Sequence, residues 1–346
     1  MCTSIWLENS AYAIEARCTG FSFDISQNFH FGYIGRHNTT DPVGMPETIE
    51  LEKLVSWENQ YGFFGRSLFD TAKIMDGINT HGLSVSVLHH ADAMIPVEPN
   101  QLNRPVISVY DVPSYLLGMF DNVAQVAEAL KNVSIIDSAV HVGHRHYINQ
   151  MPIQILVRDE QGDSLLIQMS QKNGVCLYYS VGSIITDASF DQLTDMNVPR
   201  DSQLSLMEQL YAPGTIPGGY GPVQRFQRAS ALQKILPSPK TRNEALFNAN
   251  YLINTCLLPP LLPGVTPWCV LKDLNKKRLY FKYHGAVAVQ GNYLPVDIMH
   301  GYTCITLSEI DWLSSESLSM ANTKSRIKVT PKEKVKKIQT LREFLN

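Results

Sequence analysis

The chain has 346 residues, a formal net charge of −3, and 44% hydrophobic against 18% charged residues, a balance that fits a globular protein with ample length for a core and offers no nucleic-acid surface. Its six cysteines (Cys2, Cys18, Cys176, Cys256, Cys269, Cys304) are scattered with no C-x-x-C pair, which reads as reduced thiols and excludes a disulfide framework. No apolar run approaches the ~20 residues of a membrane span, and the first residues carry Glu8 and Glu15 with no basic, apolar leader, so a cytoplasmic protein is expected.

In chain order, the first signal is Cys2, directly behind the initiator methionine in Cys2-Thr3-Ser4-Ile5. If Met1 is removed, this thiol shares a residue with a free α-amine. Such an amine titrates near pH ~8 and can accept the thiol's proton. Pro113 to Met119 begins a helix, and Val123 to Leu130 continues after an Asp121/Asn122 cap, with Val123, Val126, Ala127 and Leu130 on one face. Gln154 to Arg158 and Ser164 to Gln168 flank Glu160-Gln161-Gly162-Asp163 and read as a hairpin. Arg225 to Leu236 is helical in period and stops at Pro237. Thr241-x-x-Glu244 is a capping box that opens a helix through about Thr255. Trp268 to Leu274 and Arg278 to Tyr283 repeat the hairpin arrangement, with further strands at Ala286 to Gln290 and Tyr302 to Leu307. Strands and helices in blocks argue for an α+β layered fold.

No repeat or low-complexity linker divides residues 1–320, so residues 2–320 are expected to form one domain. From Lys324 to Asn346 there are eight Lys/Arg and two Glu. This basic extension, 321–346, reads as an amphipathic helix carrying Val335, Ile338, Leu341 and Leu345 on one face. His141-x-x-His144-x-His146, with His89-His90, has a spacing that could gather a metal. No H-E-x-x-H motif or carboxylate partner accompanies it, so solvated or hydrogen-bonded histidines are the reading adopted.

Several short segments, taken in order, resemble the choloylglycine hydrolase family, the bile salt hydrolases and penicillin V acylases of the N-terminal-nucleophile superfamily. Cys2-Thr3 matches the family's nucleophile, and Gly20-Phe21-Ser22-Phe23-Asp24 occupies the place of its G-R-x-x-D motif. Trp57 to Gly62 and Asp76 to Leu83 are similar to its W-x-x-K-Y-G and D-G-M-N-E-K-G-L segments, and Val112 to Leu117 to the start of its post-pocket helix. Ile216-Pro217-Gly218-Gly219 and Arg225-Phe226-Gln227-Arg228-Ala229 resemble L-P-G-D and S-R-F-V-R-A. The resemblance runs over roughly residues 2–310. It implies a four-layer αββα sandwich, a linear-amide hydrolase with Cys2 as nucleophile, and no metal or organic cofactor. It further implies Asp24 as a buried acceptor for the Cys2 amine and thiol proton, and Arg225 as the charge that holds the thiolate and the growing oxyanion. Arg228, one turn on, is read as structural.

Three positions depart from the family's pattern. Phe21 stands where the motif arginine belongs, and Arg17, four residues earlier, is the nearest electrostatic substitute. The family's T-N-x-P-x-F segment is similar to Ile185-Thr186-Asp187-Ala188-Ser189-Phe190, in which Thr186 takes the Asn place ungapped and Asp187 takes it with one deletion. A hydroxyl can donate to an oxyanion; an ionised carboxylate cannot. His89 either supports the oxyanion or lines a wet pocket. The aromatic cluster Tyr61, Phe63, Phe64 and Phe69 reads most simply as core, while Phe21, Phe63 and Phe64 are also candidates for contact with an apolar acyl group. The expected partner is therefore a small amide joining an apolar acyl group to a small amine, in a homo-oligomer that is a tetramer in relatives. The alternative is a family member with weakened or lost catalysis that acts as a ligand-binding protein.

Overall fold

The computed structural model describes residues 2–21, 29–68, 71–90, 93, 103–142, 146–149, 152–170, 174–194, 216–258, 265–283, 286–289, 292–295 and 302–313; the side chains of 21, 141–142, 146–149, 265–267, 283, 286–289, 292–295 and 303 are not among them. Asp24, Phe69 and the basic extension lie outside the described residues.

Two sheets carry the fold. In chain order their strands are β1 (Thr3–Trp6), β2 (Ile14–Phe21), β3 (Phe29–Gly32), β4 (Phe63–Ser67), β5 (Ile74–Asn79), β6 (Ser84–His89), β7 (Ile153–Arg158), β8 (Ser164–Ser170), β9 (Gly174–Tyr179), β10 (Ile184–Thr186), β11 (Val265–Asp273), β12 (Arg278–Tyr283) and β13 (Thr303–Thr306). A six-stranded sheet runs β10-β1-β2-β11-β12-β13, and a seven-stranded sheet runs β9-β8-β7-β6-β5-β4-β3. Neighbouring strands are antiparallel throughout both sheets.

Helices cover the outer faces. The helices α1 (Val112–Met119) and α2 (Val123–Leu130) lie on the seven-stranded sheet, where Val112, Leu116, Val126 and Leu130 share a core with Val85, Val87 and Ile155. A short helix, α3 (Phe190–Thr194), follows β10. The helices α4 (Pro222–Ile235) and α5 (Arg242–Asn254) lie on the six-stranded sheet, with Ala229, Ala249, Leu252 and Ile253 packed on Ile5, Ile14 and Ala16. The result is the four-layer αββα sandwich.

The predicted hairpin forms, with Arg158 opposite Ser164, and the two helices 112–119 and 123–130 form with Asn122 accepting from the Gln125 N–H. Helix α4 starts three residues before Arg225 because Pro222, with its fixed φ, fits the first turn behind Gly221. At α5, Thr241 Oγ1 accepts from Glu244 N at 3.2 Å, while Glu244 reaches back to the Lys240 N–H at 2.8 Å, one residue short of a reciprocal box.

Period two fixes which side chains enter the space between the sheets. On β2, Ile14, Ala16 and Cys18 point to the helices, so Glu15, Arg17 and Thr19 point inward. On β6, Val85 and Val87 face α1, so Ser84, Ser86 and Leu88 face the other sheet. The inner layer therefore holds Glu15, Arg17, Asp76 and Lys272, all at most 1% exposed. Charged groups are seldom buried this deeply unless paired, and here they are paired with one another.

Candidate active site

Strand β1 sits between β10 and β2, and Cys2 is at its leading end, fully buried in the chain that still carries Met1. Its side chain faces the second sheet, among Leu88, Leu156, Leu166 and Ile185. Asp187, Arg17 and Arg225 converge on it. The Cys2 N–H donates to Asp187 Oδ1 at 2.6 Å, just beyond the end of β10. Arg17 Nη2 stands 3.9 Å from the Cys2 Sγ. Arg225 reaches over from α4, donating from Nη1 to the Cys2 carbonyl oxygen at 2.6 Å and to Thr3 Oγ1, and from Nη2 to Asp187 Oδ2 at 2.6 Å. Nε of Arg225 donates to the Tyr220 carbonyl at 3.1 Å, so this guanidinium is tied on every side.

Asp187 therefore bridges two groups, one oxygen to the Cys2 nitrogen and the other to Arg225. Burial weakens the Arg225 charge, but Asp187 more than offsets it, and the arginine holds its proton more firmly than usual. Arg225 meets the main chain of Cys2, not its sulfur. That corrects the expectation that Arg225 would hold the thiolate itself: it lies on the helix side of the sheet, while the thiol points to the other.

The thiol's cation is Arg17. Its Nη1 donates to Asp76 Oδ2 at 2.6 Å and its Nη2 also meets the Val87 carbonyl. Burial opposes the Arg17 charge, and Asp76 and the Cys2 thiol together push its pKa up instead. A unit-charge pair at 3.9 Å is worth about 4 kcal/mol at an effective dielectric of ~20. The guanidinium also lies 5.1 Å from the centroid of Trp268.

Thr186 pairs with Thr3 in register, so its side chain shares the helix-facing side of the sheet and lies opposite the thiol. Its Oγ1 is buried with no hydrogen-bond partner among the described residues, but it does not face the sulfur. Period two decides this: Ile185 points to the thiol's side, and the residues before and after it on β10 do not. His89 is half-buried at the end of β6; burial lowers its pKa, against an opposing pull from Asp187, so its ring is neutral at pH 7. Phe63 and Phe64 are core residues, 2% and 0% exposed. Phe63 packs toward α1, and Phe64 stacks on Phe29 at 5.1 Å, which matches the core reading and corrects the assignment of both to a substrate pocket. Phe21 closes β2 opposite Val265; its side chain is not described. Arg228 donates to the carbonyls of Thr255, Pro217 and Gly219, a purely architectural set.

Sequence reasoning missed Glu15, Asp76 and Lys272. The signal was present as a polar period in Ile14-Glu15-Ala16-Arg17-Cys18-Thr19, but such a pattern ordinarily marks a strand with one face in water. In a sandwich the same face is sealed by a second sheet. Among the described residues no group of three or more side chains is placed to hold a metal, and the side chains of His141, His144 and His146 lie outside those residues. No described helix is long and apolar enough to cross a membrane.

The chain belongs to the choloylglycine hydrolase family of linear amide C–N hydrolases, which it matches over residues 2–290. It is 23% identical over 249 residues to the bile salt hydrolase/transferase of Clostridium perfringens, covering 67% of this chain and 72% of that one. It is 22% identical over 237 residues to an uncharacterized protein of Paramecium bursaria Chlorella virus 1, covering 63% and 83%. Among solved structures, penicillin V acylase from Agrobacterium tumefaciens superposes with a TM-score of 0.67 at 19% identity, covering 92% of this chain and 89% of that one. A mutant conjugated bile acid hydrolase from Clostridium perfringens gives 0.68 at 17%, covering 91% and 95%. At these identities the superpositions speak to the fold.

Proposed function

We propose that this protein hydrolyses a linear amide joining an apolar acyl group to a small amine, with Cys2 as an N-terminal nucleophile after Met1 is removed. One observation carries the reading: the Cys2 nitrogen lies 2.6 Å from Asp187 while its sulfur lies 3.9 Å from Arg17. Base and nucleophile then share one residue, each beside a group of opposite charge.

The amine, oriented by Asp187 and held in place by Arg225 through the Cys2 carbonyl, takes the thiol proton. The thiolate, beside Arg17, attacks the amide carbon and forms a tetrahedral oxyanion. The ammonium returns its proton to the departing amine, leaving an acyl thioester. Water, losing a proton to the Cys2 amine, attacks the thioester carbon; the C–S bond breaks, the acid is freed, and the ammonium returns the proton to the thiolate. Neutral His89 retains a ring N–H that can donate to an oxyanion; Thr186 takes no part in this scheme. Asp24, outside the described residues, stays proposed as a second acceptor near the Cys2 amine, beside Asp187. The reading of a catalytically lost, ligand-binding member drew on Phe21 and on the Thr186/Asp187 segment; against the first, Arg17 supplies a cation at the sulfur, and against the second, Asp187 holds the Cys2 nitrogen.

The test is intact mass on native protein for loss of Met1, then a panel of conjugated bile acid, penicillin V and acyl-homoserine lactone amides against wild type and Cys2→Ser. We expect one class to be turned over by wild type and at least about a hundredfold more slowly by the serine variant. Retention of methionine on the purified native protein would sink the proposal.

A further inference from the structure

The inner layer holds a buried ammonium that the scheme above does not use. Lys272, on β11, is 0% exposed. Its Nζ lies 2.8 Å from Ser84 Oγ, 2.7 Å from Ser86 Oγ, 3.1 Å from the Val85 carbonyl and 3.3 Å from Glu15 Oε2, and it is also paired with Asp76 Oδ1. Asp76 is thus divided between two cations, Lys272 on one oxygen and Arg17 on the other at 2.6 Å. Arg17 is the group against the Cys2 sulfur.

We infer that Lys272 is a positioning residue for the nucleophile: by neutralising Asp76 it leaves the guanidinium of Arg17 free to stabilise the Cys2 thiolate. The inference rests on the proposed role of Cys2. Without Lys272, Arg17 and Asp76 form a neutral pair, and the sulfur faces a cation whose charge its own carboxylate cancels. Glu15 also pairs with Lys272, at 3.3 Å, and is held by Arg158 besides. It lies one row further along the sheet, opposite Trp6 and Lys272, and its carboxylate accepts from Ser4 at 2.7 Å, from Ser86 at 3.0 Å and from Ser84. The serines of β6 hold both charged ends of the cluster. This explains why a strand facing the core alternates Ser with Val at 84–87. The charged groups around the thiol are Arg17 and Glu15 from β2, Lys272 from β11 and Asp76 from β5. Asp187 beyond β10, Arg225 from α4 against the Cys2 backbone, Arg158 from β7 acting on Glu15 and titratable His89 at the end of β6 join them among the described residues.

The test is a double-mutant cycle on the mature, Met1-free enzyme. It reads the Cys2 thiolate by far-UV absorbance against pH, with Cys2→Ser in each background as the blank for the other thiols. Lys272→Met should lower the thiolate fraction at neutral pH by about tenfold. The charge-balanced pair Asp76→Asn with Lys272→Met should restore it toward the wild-type value, because the carboxylate that required neutralising is gone. A lysine that merely fills space predicts lost stability with an unmoved titration, and that result would overturn the inference. So would a double variant that stays as low as the single one. Where Lys272→Met alone does not fold, the double variant decides by matching wild type or falling below it. The titration needs no substrate, so failure of the amide panel leaves its outcome separately readable.

Discussion

The carboxylate of Asp187 accepts from the Cys2 nitrogen, so its charge bears directly on the group proposed as the base. A neighbouring anion favours the protonated ammonium, and catalysis needs the free amine. Asp187 therefore places the acid limb of the rate profile at higher pH than a neutral partner would. Replacing it with Asn keeps an acceptor for the nitrogen and removes the charge. In Asp187→Asn the acid limb of kcat/KM should move down by about one pH unit, measured on mature enzyme with the amide found in the panel. A limb that stays put would show that the amine is not the titrating base. The same carboxylate holds Arg225, so the variant is also expected to lose stability through an unpaired buried guanidinium.

At the scale of elements, β4 and β5 approach closely because Gly65 and Gly77 lie opposite each other. A Cβ on Gly65 would come within 2.6 Å of the Asp76 carbonyl oxygen and 3.2 Å of Gly77 Cα, both backbone atoms that cannot rotate away. Asp76 is the residue that anchors Arg17. Gly65→Ala should cost about 1–3 kcal/mol of stability as an overpacked site, and it should also displace Asp76 and slow the reaction more than its stability loss explains. Urea denaturation together with single-turnover rates on the folded fraction checks both. A variant with normal turnover would show that strand spacing here does not set the geometry at Cys2.

For the whole molecule, the space between the sheets is sealed by apolar clusters on either side of a charged centre. Burial alone would raise the pKa of Glu15, but Lys272, Arg158 and the hydroxyls of Ser84 and Ser4 bring it down from 4.5 to about 2. A carboxylate with a depressed folded value contributes stability above its unfolded value, and loses it as pH falls through the folded one. The window is therefore pH 4.5 down to about 2, and the contribution at stake is roughly 3 kcal/mol. Glu15→Gln should be less stable at neutral pH and should lose less on acidification across that window. Urea midpoints at several acid pH values report it, and parallel acid curves for the two proteins would refute the assignment.

Much of the fold was legible because the signals were local. The hairpin around Gly162, the cap at Asn122 and the helix ended by Pro237 each rest on a few adjacent residues whose backbone chemistry admits one outcome. Cys2 was legible for the same reason, since thiol and amine belong to one residue. The company it keeps was not. Thr186 and Asp187 are neighbours in sequence, yet the pleat turns the threonine to the helices, and the aspartate beyond the strand end meets the Cys2 nitrogen. Phe63 and Phe64 became core because sheet and helix close over them. The polar face of β2 suggested water from its period alone; a second sheet, whose Asp76 lies 59 positions along the chain from Arg17, made it the buried charge cluster beside the sulfur. Sequence by itself determined the local elements, the candidate nucleophile and the family resemblance, because these follow from single residues and short segments. Only the tertiary structure decided which charges reach the thiol, because a side chain's partner across two sheets depends on register and face, and neither is written in any one segment.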